Sequence, residues 1–132
     1  MQAACYITLA PNLISFGSIY ASANVPTNVL VTDTDNGGNA AANVLLEGTP
    51  WTLTSNSLVT FGASNTLYDS SSQGVYNGLP LSGTATSTAI TVLAPNYPSS
   101  SSANALIYFG LGIPGGAEAG AYTQNIIIEN SC

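Results

Sequence analysis

The sequence contains no lysine, no arginine and no histidine, so its six acidic residues leave a formal charge of −6. Charged residues make up 5 % of the 132 residues, whereas an average soluble domain has roughly 25 %. Proteins bind phosphate backbones and anionic membrane surfaces through lysine and arginine. Because both are missing, we expect no nucleic-acid partner and no electrostatic attraction to a membrane.

The missing cations also remove most catalytic chemistry. General acid–base and nucleophilic catalysis mostly use histidine, lysine or paired carboxylates, and a Ser-His-Asp site is impossible without histidine. The two acids closest in sequence are Asp33 and Asp35, in VTDTDNGG. Their D-x-D-x-G pattern has the oxygen ligands of a calcium loop, but such a cluster is first of all typical of a turn. We therefore predict that the protein is not an enzyme and binds no cofactor. Asp33 and Asp35 are weak candidates for calcium ligands.

A chain this poor in charge has little electrostatic repulsion to oppose association. The composition therefore suits a protein that assembles. The seven tyrosines and Trp51 could stack on sugars, but they are scattered over the predicted strands, which favours core and interface packing. No apolar run approaches the roughly 18 residues of a membrane-spanning helix, so no membrane insertion is expected.

The two cysteines, Cys5 and Cys132, lie at the two ends of the chain. An even count favours one disulfide in an oxidising setting. Within one chain it would close almost the whole sequence into a loop and stabilise the fold by about 4–5 kcal/mol in the chain-entropy model. The same pair could instead link neighbouring subunits, or remain as two thiols. Two cysteines without histidine make a zinc site improbable.

Alternation of apolar and polar residues predicts strands, and helix-forming residues are nearly absent. The expected fold is an all-β sandwich or jelly roll of about eight to ten short strands. The predicted strands before the last two are residues 5–9, 13–21, 28–34, 41–47, 51–54 and 87–93. Residues 57–62, residues 66–68 and a weak segment around 75–76 are expected to be short strands or loops.

Two hairpins are predicted from turn residues. One joins residues 28–34 to residues 41–47 through DNGGN, and the other closes the chain between residues 104 and 129 through PGG. The triplet 126–128 is apolar throughout, so both faces of the last strand are expected to be covered. The predicted inward-facing residues of the closing hairpin are Ile107, Phe109, Leu111, Ile113, Tyr122, Ile126 and Ile128.

Three stretches carry a family resemblance: ISFGSI from Ile14, VLVTDTDNGGNAAANVLLEGTPW from Val29, and IYFGLGIPGGAEAGAYTQNIIIE from Ile107. The Phe16-Gly17 step, the GTPW at the end of the second stretch and the AGAYT of the third resemble archaeal surface filament subunits. These are the bundling pili and threads, similar in fold to the biofilm-matrix fibre protein TasA. Bacterial chaperone–usher pilins are more distantly similar.

The resemblance implies head-to-tail filaments in which the N-terminal strand of each subunit fills a groove in the next. Residues 1–12 would then be a donor strand and linker, and residues 13–132 a β-sandwich domain. Either Tyr6, Thr8 and Ala10 or Ile7 and Leu9 would be inserted. The whole predicted donor strand is Cys5, Tyr6, Ile7, Thr8, Leu9 and Ala10, and the predicted acceptor-groove residues are Phe109, Leu111, Tyr122, Ile126 and Ile128.

These observations favour a structural subunit of an extracellular, cell-surface filament that serves adhesion, cell–cell contact or biofilm formation. Its partners would be identical subunits in a helical homopolymer, with surface glycans as a further candidate. A jelly-roll capsid or surface-layer component is an alternative, and so is a secreted sugar- or calcium-binding module. In both alternatives the N-terminal strand would not cross into a neighbour, and residues 5–9 could equally complete their own sandwich.

Overall fold

The structure is a computed structural model that describes residues 7–10, 15–20, 22–35, 41–71, 74–92 and 103–131. Within these ranges the chain forms eleven strands and one short 3-10 turn, and every strand pairing is antiparallel. The predicted all-β class is confirmed. The strands are β1 (Ile7–Ala10), β2 (Asn24–Asp35), β3 (Ala42–Gly48), β4 (Trp51–Leu53), β5 (Asn56–Phe61), β6 (Thr66–Asp69), β7 (Leu79–Pro80), β8 (Thr86–Val92), β9 (Ala103–Gly112), β10 (Tyr122–Thr123) and β11 (Ile126–Ser131).

The described strands form three sheets, in the orders β1-β2-β9-β6-β7, β10-β4-β5 and β11-β3-β8. The longest pairing is that of β2 with β9, which runs from Asn24 opposite Gly112 to Asp35 opposite Ala103. A register shift between Val25 and Val29 interrupts it. Such an irregularity bends a strand and increases its twist.

The core lies between β9 of the first sheet and β3 and β8 of the third. Val44, Val92, Ile107 and Phe109 have no exposed surface, and Leu46 is 1 % exposed. The burial of β3 alternates residue by residue, as expected for a strand with one face on a core. Because residues of both sheets join one buried cluster, the two sheets pack as the layers of a sandwich. Each large apolar side chain buried in this way contributes roughly 1.5–3 kcal/mol.

Both predicted hairpins are wrong. β2 pairs with β1 and β9, whereas β3 pairs with β11 and β8. At the end of the chain β9 pairs with β2 and β6, and β11 pairs with β3. Alternation identifies the buried face of a strand but not its neighbour. Two strands that bury one face in the same core show the same alternation whether they are neighbours in one sheet or lie in opposite layers.

The predicted strand over residues 13–21 is also wrong where the structure describes it, because residues 15–20 form no strand. Gly17 has a φ of 74°, in the left-handed region that interrupts an extended chain. Phe16 packs against the core while Tyr20 is 89 % exposed. Of the segments expected to be short strands or loops, the first two form strands β5 and β6, and Val75 lies in a loop. Among the described residues, no helix has the length and apolar character needed to span a bilayer.

Candidate functional site

Strand β1 lies at the outer edge of the described five-stranded sheet, and its described ladder is with β2. Ile7 lies opposite Asp35, and Ala10 lies opposite Thr32. The side chain of Leu9 is 38 % exposed. Four of the six predicted donor residues are therefore described, as an edge strand on their own chain. Cys5 and Tyr6 lie outside the described residues.

The described ladder of β1 is four residues long, shorter than the ladder between β2 and β9. A backbone hydrogen bond contributes only about 0.5–1.5 kcal/mol net, because water replaces it when the strand leaves. Leu9 adds incomplete burial, whereas Ile107 and Phe109 of β9 are buried completely. Removal of β1 would therefore leave the buried cluster intact, since none of its described members belongs to β1.

The outer edge of β2 is longer than the strand that covers it. β1 pairs with Thr32–Asp35, whereas β2 begins at Asn24. In the part of the chain that the structure describes, the rest of this edge carries no second ladder. Unpaired N–H and C=O groups at a sheet edge are a template for another extended chain.

The predicted acceptor residues do not meet in one groove. Phe109 and Leu111 are buried in β9, between β2 and β6. Ile126 and Ile128 are half-buried in β11 and pack against the core cluster. Tyr122 belongs to β10 in another sheet. Ile127, which the sequence predicts to be covered, is 43 % exposed.

A groove of about 630 Å³ opens between residues 15–20, the loop at 117–121 and the β10-β4-β5 sheet. Leu111 and Tyr122 line it, and Ile113 contributes to it as well. Two predicted acceptor residues thus face this groove, together with Ile113 of the predicted inward-facing set.

A ladder of aromatic rings borders the groove. The centroids of Phe16 and Trp51 are 6.1 Å apart in an edge-on arrangement, and Trp51 stacks on Phe61 at 5.8 Å. Phe61 then contacts Tyr122 at 5.1 Å. Each such pair contributes about 0.5–1.5 kcal/mol beyond its buried area. The rings pack on one another, so the ladder stabilises the groove wall.

A chain of three hydrogen bonds holds the indole of Trp51 in place. Its indole Nε1–H donates to the hydroxyl of Thr66 (2.8 Å), which donates to Oε1 of Gln124 (2.9 Å). Gln124 Nε2 donates to the carbonyl oxygen of Thr49 (2.9 Å). Thr66 is completely buried, so the loss of a partner would leave a polar group unsatisfied at a cost of about 1–3 kcal/mol.

The groove and β1 lie at opposite ends of the long β2–β9 pair. Leu111, which lines the groove, is opposite Val25, whereas β1 covers Thr32–Asp35. Along β9 the two places are five to eight residues apart, which at about 3.3 Å per residue is roughly 16–26 Å. The described residues therefore present two unlike surfaces at two ends of one sheet.

Burial raises the pKa of two tyrosines, Tyr68 and Tyr76. It raises the pKa of Tyr68, a member of the core cluster. It also raises the pKa of Tyr76, although a hydrogen bond with the backbone of Gly112 partly offsets the rise. The Tyr76 hydroxyl donates to the carbonyl oxygen of Asn65 at 2.6 Å. Both phenols stay protonated at neutral pH.

The weak calcium candidates occupy a strand. Asp33 and Asp35 are ladder residues of β2, opposite Ala105 and Ala103. Among the described residues no group of three or more histidine, cysteine, aspartate or glutamate side chains could share a metal ion. Cys132, like Cys5, lies outside the described residues, so the disulfide stays a prediction.

The comparisons with known proteins return nothing that resembles this chain. It matches no protein-family profile, no curated protein and no solved structure.

Proposed function

We propose that this protein is the structural subunit of an extracellular filament, assembled head to tail by exchange of its N-terminal strand. The observation that carries the proposal is the position of β1 at the outer edge of the sheet, on a short ladder with β2. A strand held in this way can pair with the same edge of another copy.

Exchange preserves the pairing that the single chain makes. When β1 of one subunit occupies β2 of the next, Ile7 again lies opposite Asp35 and Ala10 opposite Thr32. The backbone hydrogen bonds lost within a chain are therefore regained between chains. Each subunit donates one surface and accepts with another, and such a contact generates an open filament when its rotation does not close a ring.

The direction of β1 brings the neighbouring subunit towards the groove. From Ile7 to Ala10 the strand runs antiparallel to β2, towards its Asn24 end. The rest of the donor subunit would follow Ala10 in that direction, beside the uncovered edge of β2. The end of the acceptor that holds the aromatic groove then faces the donor's body.

The charge distribution suits this assembly. With no lysine, arginine or histidine in the chain, neighbouring subunits make no ion pairs through cationic side chains. Six negative charges on 132 residues leave repulsion weak and readily screened by salt. Contacts between subunits would rest on backbone pairing and apolar packing.

The extracellular location and a role in adhesion, cell–cell contact or biofilm formation belong to the same proposal, and they rest on the resemblance of the sequence. A sugar-binding module finds less support, since the rings beside the groove pack against each other. Closed shells in electron micrographs would favour the capsid or surface-layer alternative, and ligand-dependent melting of a monomer would favour the binding module.

Cysteine pairs across the ladder test the exchange. In a background where Cys5 and Cys132 are replaced by serine, Thr8→Cys is combined with Thr34→Cys, because these residues lie opposite each other. Directly opposite positions are close enough for a disulfide. After assembly and oxidation we expect a ladder of covalent oligomers on a non-reducing denaturing gel.

The matched control places cysteines at Asn43 and Ser131, which are opposite each other in the β3–β11 ladder. This ladder holds the sandwich together and should link only within one chain, which gives monomers. If the Thr8–Thr34 variant also gave monomers alone while filaments were visible, strand exchange would be wrong.

Deletion of residues 2–10 is the second test. The truncated chain keeps every member of the described core cluster, so we expect folded monomers that no longer form filaments in electron micrographs. Filaments of normal appearance would overturn the proposal.

A further inference from the structure

The turn before β7 brings a backbone nitrogen against the side chain of the preceding residue. The N–H of Gly78 donates to Oδ1 of Asn77 at 2.8 Å, and Asn77 is exposed to solvent. This hydrogen bond keeps the Gly78 nitrogen next to the Asn77 carboxamide. We infer that Asn77 is a spontaneous modification site, at which the backbone converts asparagine into aspartate and isoaspartate.

The labile step is a consequence of the fold. Gly78 has a φ of 130°, and a Cβ placed there would lie 2.5 Å from the carbonyl oxygen of Tyr68. The turn therefore requires glycine. Glycine is also the residue that shields its own nitrogen least, because it has no side chain. The geometry of the turn thus imposes the sequence that favours the reaction.

The reaction needs only water. After loss of its proton, Gly78 N forms a bond to Asn77 Cγ, the Cγ–Nδ2 bond breaks and ammonia leaves with the returned proton. The product is a five-membered succinimide. Water then adds to one of its two carbonyl carbons and opens the ring. One opening gives aspartate in the normal backbone, and the other gives isoaspartate with one extra backbone methylene.

The structure contains an internal comparison. At the step from Asp69 to Ser70 the backbone nitrogen approaches the side-chain oxygen at 2.7 Å, much as it does at Asn77. A carboxylate is a poor electrophile with no amine to expel, so proximity alone does not predict reaction there. At Asn125 the next residue is Ile126, whose branched side chain shields the nitrogen. Asn77 combines the contact, the leaving group and the unshielded nitrogen.

Conversion has two structural effects. It adds one negative charge to the formal −6, close to Asp69, in a chain without cationic side chains to pair with it. Isoaspartate also lengthens the backbone just before β7, whose pairing is limited to Leu79 opposite Tyr68 and Pro80 opposite Leu67. The modified chain should therefore loosen β7 from β6 and mark old subunits by charge.

Mass spectrometry of the full-length protein tests the site. Samples are kept warm at mildly alkaline and mildly acidic pH and then digested with chymotrypsin, since trypsin has no cleavage site in this sequence. We expect Asn77 to convert at least about tenfold faster than Asn125, because its reacting groups are already held together. The rate should rise with pH, because the attacking nitrogen must lose a proton.

Two controls separate the contributions. Asn77→Ser retains the required glycine and should stay unmodified at this position, while the Asn36–Gly37 step reports separately in its own peptide. A parallel incubation in denaturant removes the turn. Conversion of Asn77 that is as fast in the native protein as in denaturant, or faster, supports the inference. Native protein that protects Asn77, or converts it no faster than Asn125, overturns it.

Discussion

The hydroxyl of Thr66 donates a hydrogen bond to Oε1 of Gln124 at 2.9 Å and accepts one from the indole of Trp51 at 2.8 Å. Thr66 belongs to β6 of the first sheet, Trp51 to β4 of the second, and Gln124 lies between β10 and β11. One buried hydroxyl therefore connects three parts of the fold. The chain has no cationic side chains that could make such a connection through a salt bridge.

Thr66→Val is the direct test of this connection. The substitution keeps the shape but leaves Trp51 Nε1 and Gln124 Oε1 without their partner, so the free energy of unfolding should fall by about 2–4 kcal/mol. Urea unfolding measures the change. Thr60→Val on exposed strand β5 is the matched control and should be nearly neutral. Similar losses for the two variants would contradict the role of the network.

Phe109→Ala should be among the most damaging changes in the core. Among the described residues Phe109 is the largest side chain with no exposed surface, and its truncation should cost about 3–5 kcal/mol through lost burial and a cavity. Leu58 is 90 % exposed on β5, so Leu58→Ala should change stability little. Chemical denaturation measures the free energy of unfolding of both variants. Equal losses would contradict the central position of Phe109 in the core.

Gly120→Ala probes the wall of the groove. Gly120 has a φ of 150°, and a Cβ there would collide with the buried side chain of Leu53. We expect a loss of about 1–3 kcal/mol from backbone strain alone. Gly83 has open space around a Cβ and no positive φ, so Gly83→Ala is the control and should be tolerated. Thermal unfolding of the two variants would show no difference if the strain were absent.

Stability should fall in alkali. Burial raises the pKa of Tyr68 and of Tyr76 in the folded state, so the unfolded chain loses these protons first. The stabilisation is complete below the unfolded pKa of about 10 and is lost as the pH rises through the folded values. Unfolding free energies measured across this range should decline with pH.

Tyr68→Phe should reduce that decline, because it removes one of the two shifted groups without emptying the core. Tyr20→Phe serves as the control, since the ring of Tyr20 is 89 % exposed. A slope that Tyr68→Phe leaves unchanged would rule out this tyrosine as its source.

The faces of the strands could be predicted from the sequence, but their partners could not. Alternation correctly placed Ile107, Phe109 and Leu111 on a buried face. It could not tell whether β11 lies beside β9 or across the core from it, since both arrangements bury Ile126 and Ile128. The turn residues between the strands fit a hairpin and also a crossing between layers.

The aromatic ladder shows a second limit. Phe16, Trp51, Phe61 and Tyr122 are far apart in the sequence, and their meeting depends on three separate pieces of chain. Of these contacts, only that between Trp51 and Phe61 could be predicted from nearby sequence, because β4 and β5 are joined by two residues and pair directly. The buried hydrogen bonds of Thr66 had none, as threonine is common in any strand.

The antiparallel run of β1 along β2 also determines how a filament would bear load. In the proposed polymer, tension reaches β1 through Ala10, at the end that leads to its own domain, and is directed along the strand. The ladder from Ile7 to Ala10 is then loaded in shear, so its hydrogen bonds resist together instead of opening one after another. A strand that is easily exchanged before assembly would thus become a tensile joint once it is pulled.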